Sequence, residues 1–117
     1  MMEKDMYPIL KKYFENKGFT VKGEVNDVDI MAIKNNSVVL IEMKTSFNTL
    51  LIAQGIRRNP MSDLVYLSIP KPTDKVLKSR TFKDKCLILK HLQLGLILVD
   101  TKYNTLNFWL DPTEYTI

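Results

Sequence analysis

Apolar positions along the chain divide it into elements. Met6, Ile9, Leu10, Tyr13 and Phe14 recur at the i, i+3, i+4, i+7 and i+8 spacing of an amphipathic helix, and Gly18 supplies a stop. The spacing predicts a first helix ending near Lys17. Pro8 is expected in its first turn, where a missing N–H costs no hydrogen bond, with Asp5 as the cap. Residues 19–25, 27–33 and 38–44 read as strands, the last two joined across Lys34-Asn35-Asn36-Ser37, whose asparagines tolerate positive φ. After Lys44 the period changes. Phe47, Leu50, Leu51 and Gln54 predict a second helix, capped by Ser46 or Asn48 and ending near Arg58, before Pro60. Residues 64–69, closed by Pro70, form a short apolar run of the kind that makes a buried strand. Residues 71–93 are basic and helical in parts, with Asp74 as a cap, and residues 95–99 and 106–110 read as final strands around a turn at Tyr103-Asn104. A strand, helix, strand succession implies a right-handed crossover with parallel pairing. The expected architecture is therefore one α/β domain over residues 1–117, a central mixed sheet flanked by helices in the order α-β-β-β-α-β-α-β-β.

Composition narrows the class without choosing a function. The single cysteine among 117 residues cannot close an intrachain disulfide, which excludes a disulfide-stapled scaffold. The longest apolar stretches, such as residues 94–99, fall far short of the roughly 18 residues a membrane span needs. The N-terminus carries charges where a signal peptide has its apolar region, so a cytoplasmic protein with no membrane partner is expected. A net charge of +4 permits a polyanionic partner and is equally ordinary for a soluble domain.

The hairpin carries the candidate chemistry. If Asn35 and Asn36 form a two-residue turn, cross-strand partners have numbers summing to 71, which sets Asp29 opposite Glu42 and Asp27 opposite Lys44. All four side chains are then expected on one face, since residues i and i+2 share a side. Opposed carboxylates with Cβ atoms about 5 Å apart are unfavourable unless something neutralises them. A divalent cation does so, and two carboxylates completed by water and substrate oxygens suit Mg²⁺. Val38, Val39, Leu40 and Ile41 are apolar on both faces, so Glu42 and Lys44 end a buried strand, where ligand sites of α/β sheets gather. An exposed ion pair at a strand end fits the Glu-x-Lys spacing equally well.

Asp29, a hairpin, then Glu42-Met43-Lys44 resembles the PD-(D/E)XK nuclease superfamily, whose restriction-endonuclease-like core runs helix, three strands, helix, strand. The chain is more closely similar to an uncharacterised bacterial family of PD-(D/E)XK phosphodiesterases. That similarity runs through Glu3-Lys4-Asp5-Met6-Tyr7-Pro8, Lys22-Gly23-Glu24-Val25, Ile41-Glu42-Met43-Lys44, Gln54 and Asp63-Leu64-Val65-Tyr66, and on to Leu110-Asp111-Pro112. Val28 stands where the superfamily name has Pro. The resemblance implies that Asp29 and Glu42 bind Mg²⁺ or Mn²⁺ and that Lys44 acts on the attacking water. Lys44 then positions that water, offsets developing charge or serves as base, and the sequence leaves these roles open. It also implies that Gln54 completes the active site or contacts the scissile strand; by spacing alone Gln54 is equally a satisfied core amide.

Other residues enter with two readings each. Arg57 and Arg58 extend the second helix and can hold phosphates bidentately, or serve as a solvated helix end. Glu3 and Glu24 are candidate further metal or water ligands, Glu24 being more simply an exposed strand-end charge. Asp27 is a partner for Lys44 or the turn-facing end of its strand. His91 is the only histidine and lacks a Cys or His partner at ligand spacing, which argues against zinc. Cys86 sits among apolar residues and reads as core.

The leading expectation is a metal-dependent phosphodiesterase acting on DNA, less readily RNA. The alternative is a non-catalytic nucleic-acid-binding or assembly module of the same fold. Between Lys71 and Lys90 seven basic residues face two acidic ones, and Lys78, Arg80 and Lys83 are the expected backbone contacts. A domain this small needs a partner subunit, such as a second copy, to cut both strands at once.

Overall fold

The computed structural model describes residues 2–62 and 64–112. Its elements are α1 (Glu3–Asn16), β1 (Thr20–Val25), β2 (Val28–Lys34), β3 (Ser37–Met43), α2 (Thr49–Arg58), β4 (Leu64–Pro70), α3 (Asp74–Leu77), α4 (Arg80–His91), β5 (Gly95–Asp100) and β6 (Thr105–Leu110). The expected α/β order holds, with two consecutive helices, α3 and α4, between β4 and β5. All six strands form one sheet whose spatial order is the chain order. β1, β2 and β3 pair antiparallel, β3, β4 and β5 parallel, and β5 and β6 antiparallel.

Connection geometry explains the layering. Two successive right-handed crossovers that step the same way across a sheet must lay their helices on one face. Accordingly Leu51 of α2 and Phe82, Cys86 and Leu89 of α4 pack in one cluster with Leu40, Val65, Leu67, Leu96 and Leu98. The other face is covered by α1, whose Met6, Leu10 and Phe14 pack on Ile30, Ala32, Val39, Ile41 and Val99. Strands β3, β4 and β5 are therefore apolar on both sides, as their continuous hydrophobic runs require.

Two expected boundaries are corrected. Helix α1 starts at Glu3, five residues ahead of Pro8, because the Asp5 carboxylate accepts the Met2 N–H at 2.9 Å, the half of a capping box that needs no polar N-cap side chain. Asp5 thus acts inside the first turn and not as the residue before it. Pro8, exposed, is carried within the helix. The second correction concerns Asp27. Asn26 and Asp27 have φ of 52° and 67° and form the tight turn between Val25 and Val28, which pair directly. Asp27 therefore belongs to the turn, and strand β2 begins after it.

Candidate active site

The β2–β3 register sets the two acids side by side. Lys34 pairs with Ser37, and the ladder runs with the expected sum of 71 to Ile30 opposite Ile41. One step further, the Asp29 carboxylate accepts the backbone N–H of Met43 at 2.8 Å. The two-residue alternation breaks there. Val28 packs on the α2 side of the sheet, whereas Ile30 and Ala32 pack on the α1 side. Opposite Asp29 on β1 stands Glu24, itself in the left-handed region at φ 52°. Both edges of β2 are thus irregular at Asp29, which is how a carboxylate reaches a ladder position normally filled by a carbonyl.

Glu42 is 1% exposed, one of two buried polar residues among those described. Burial pushes its carboxyl up from 4.5 to about 7; the Arg58 guanidinium opposes this, while the charge of Asp29 and a hydrogen bond shared with it add to it. The two carboxyl groups are therefore near neighbours. Arg58, from the last turn of α2, donates through Nε to Glu42 Oε1 at 2.6 Å and through an Nη to the Asp27 carbonyl at 2.7 Å. This corrects the expectation of a phosphate-facing Arg58, since its guanidinium turns inward. Arg57, next to it, is exposed.

Lys44 lies one residue past β3, with its backbone N–H on the Ser68 carbonyl at 3.0 Å. Its ammonium faces Glu3, 4.0 Å away, and both side chains are partly exposed. The expectation that Asp27, Asp29, Glu42 and Lys44 share one face is thus only partly met. Asp27 sits in the turn, and Lys44 turns toward α1 while Glu42 turns toward α2. The early start of α1 is what brings Glu3 to Lys44.

Glu3, Glu24 and Asp29 line one cleft of about 590 Å³ together with Lys4, Tyr7, Gly23 and Met43. A Cβ on Gly23 would meet the Tyr7 hydroxyl at 3.2 Å, so glycine there lets the ring close over the strand. Tyr7 and Lys4 were not singled out from sequence, although Tyr7 follows Glu3 by four residues on the same helix face. Among the described residues no cluster of three or more His, Cys, Asp or Glu side chains is arranged to hold a metal ion, so Glu3 and Glu24 are neighbours of the carboxylate pair and not a ligand cage with it.

Gln54 lies one turn before Arg58 on α2, and its Oε1 is enclosed with no hydrogen-bond partner. The satisfied-amide reading therefore fails for that oxygen. A buried acceptor without a donor is uncommon enough to need a reason. The carboxylates of Asp29 and Glu42 are hard oxygen donors, the chemistry that suits Mg²⁺ or Mn²⁺ and not a soft metal.

The remaining predicted residues lie apart from the carboxylates. Lys78 caps α3; Arg80 and Lys83 line a cleft that includes Leu87 and Trp109, and Arg80 pairs with Asp84 at 3.4 Å on an exposed helix face. A different cleft, about 620 Å³, begins directly after Lys44. Thr45, Ser46, Lys71, Thr73, Ser79, Thr81 and Lys85 supply its polar lining, which contains no carboxylate. Cys86 is buried, its thiol pushed up by desolvation, as a core cysteine should be. His91 is exposed at the end of α4. Asp63 lies outside the described residues. No described helix is long and apolar enough to cross a membrane.

No family model matches the chain, and no curated protein does. Solved structures do resemble it. An XisH family protein from Nostoc punctiforme superposes with a TM-score of 0.62 at 18% identity, over 91% of this chain and 98% of that one. An fdxN element excision controlling factor protein from Anabaena variabilis superposes with a TM-score of 0.61 at 15% identity, over 92% of this chain and 98% of that one. The likeness is one of fold. Both superpositions span nearly the whole of either chain, so the likeness extends over most of the fold.

Proposed function

We propose that this chain is a metal-dependent phosphodiesterase of the PD-(D/E)XK type that hydrolyses DNA. The observation that carries the reading is the buried Glu42 beside the half-buried Asp29 at the end of the β2–β3 ladder, with Lys44 two residues beyond Glu42. Two carboxyl groups forced together in a site that burial makes unfavourable for charge are matched by a divalent cation. Asp29 and Glu42 would hold Mg²⁺ or Mn²⁺, which supplies a Lewis acid for the phosphoryl oxygens and lowers the pKa of water. The Met43 amide orients Asp29 by its hydrogen bond. Glu3, which lines the cleft, lies 4.0 Å from the Lys44 ammonium, which would offset charge on phosphate or position a water. The acid-free cleft beyond Lys44, with Lys71 and Lys85, offers the flanking backbone a basic, hydroxyl-rich path. The name of the excision controlling factor agrees with DNA as the polymer.

The test is incubation with Mg²⁺ or Mn²⁺ and plasmid, linear duplex and single-stranded DNA, with RNA in parallel. Asp29→Ala and Lys44→Ala are each expected to lower the cleavage rate by about 100-fold or more. Cleavage undiminished in both variants would sink the site.

The Arg58–Glu42 ion pair favours a second reading, a non-catalytic nucleic-acid-binding or assembly module, because a guanidinium already neutralises the acid that a metal would need. Steeply salt-dependent binding with no cleavage under either metal would support it.

A further inference from the structure

Glu42 has its closest cation in Arg58, not in Lys44. The Nε to Oε1 distance is 2.6 Å, and the Arg58 side chain is 15% exposed against 2% for that of Glu42. A second bond, to the Asp27 carbonyl, fixes the guanidinium against the β1–β2 turn. The guanidinium thus bridges the C-terminal turn of α2 and the turn that leads into Asp29. It lies against the carboxyl pair and meets the need for positive charge that two adjacent acids create. A divalent ion held by Glu42 and Asp29 would share with Arg58 a carboxylate whose Oε1 the guanidinium already engages. A guanidinium in hydrogen-bond contact with that carboxylate and a small cation bound to it would repel each other in a site of low dielectric. Gln54 Oε1, one turn earlier on the same helix, is the only enclosed side-chain oxygen or nitrogen among the described residues left without a partner. Glu42 is therefore already partnered from α2, while an enclosed acceptor one turn earlier on that helix is not.

We propose that Arg58 is a resident counter-ion that seals the carboxylate pair in the metal-free protein and competes with the divalent cation for Glu42. Metal entry releases the guanidinium from Glu42 and weakens the tie between α2 and the β1–β2 turn. This rests on the reading of Asp29 and Glu42 as metal ligands.

The first test follows the Arg58 Nε–H resonance by NMR in the wild-type protein during a Mg²⁺ titration. A hydrogen-bonded signal in EDTA that broadens or shifts as Mg²⁺ saturates is expected. A signal unmoved at Mg²⁺ saturation overturns the proposal. Calorimetric Mn²⁺ binding to Arg58→Met and Arg58→Lys supplies a second readout. Arg58→Met, which keeps length and loses charge, is expected to bind Mn²⁺ about tenfold more tightly and to melt at lower temperature in EDTA, with Arg58→Lys intermediate. Equal or weaker Mn²⁺ affinity in folded Arg58→Met overturns the counter-ion role and leaves the phosphodiesterase reading standing. Tighter Mn²⁺ binding with no cleavage of any DNA does the reverse. Absence of Mn²⁺ and Mg²⁺ binding in every variant overturns both.

Discussion

Glu42 is the residue whose chemistry is set most strongly by its surroundings. Its carboxyl, raised from 4.5 to about 7, holds a proton in the folded protein at pH values where the unfolded chain has lost it. Between those two values the native state binds more protons, so stability falls as pH rises through the window and stays lower above it. The difference corresponds to about 3 kcal/mol. Unfolding free energy measured by urea at pH 5 and pH 8 in EDTA should therefore drop toward pH 8 in the wild type, and Glu42→Gln should flatten that drop. A wild-type protein more stable at pH 8 than at pH 5 would mean that Arg58 outweighs burial. Glu42 was legible as a candidate because it ends a run, Val38 to Ile41, that is apolar on both faces; its full burial was not, since an exposed ion pair fits the same spacing. Its partner was not, because which face of α2 meets β3 depends on how the helix docks.

At the scale of the elements, α2 is the part that must be held to fractions of an ångström, since it carries Gln54 and Arg58. Gly55 sets its approach to the sheet: an added Cβ would stand 2.8 Å from Leu67 Cδ2 and 3.0 Å from Leu94 Cδ1. Alanine there gains about 1 kcal/mol in helix propensity but overpacks the core by roughly 1–3 kcal/mol. Gly55→Ala is expected to lower the melting temperature and, by lifting α2, to weaken the Arg58–Glu42 bond; an unchanged melting temperature would show that the leucines yield freely. The β2–β3 hairpin was legible as far as Ile30 because Asn35, at φ 55°, fixes the turn and the turn fixes the partners up to Ile41. The first helix was legible in its apolar stripe but not at its start, because the Asp5 cap outweighed the signal of Pro8. Asp27 was misplaced for the mirror-image reason: its positive φ with Asn26 makes a turn that the strand pattern does not announce.

For the whole molecule, the basic excess lies on more than one surface. Lys71 and Lys85 line the cleft beyond Lys44, with Lys85 Nζ donating to the Phe47 carbonyl at 2.5 Å, while Arg80 and Lys83 line the cleft beside Trp109. Replacing Lys78, Arg80 and Lys83 together by Gln tests the second surface, and Lys71→Gln tests the first. Each lost phosphate contact should reduce the slope of log K against log salt by about 0.9 for duplex DNA. If binding is unchanged in the triple variant and weakened in Lys71→Gln, the DNA follows the cleft next to Lys44. The sheet also has a consequence for how the molecule forms. Because strand order equals chain order, every pairing joins strands adjacent in sequence; the antiparallel pairs close short turns, whereas β3–β4 and β4–β5 each close a longer helical crossover. The two acids are brought together by the local β2–β3 hairpin, whereas the guanidinium arrives only with α2. During folding the repulsion therefore precedes its relief, and docking of the second helix is what the charge pair waits for.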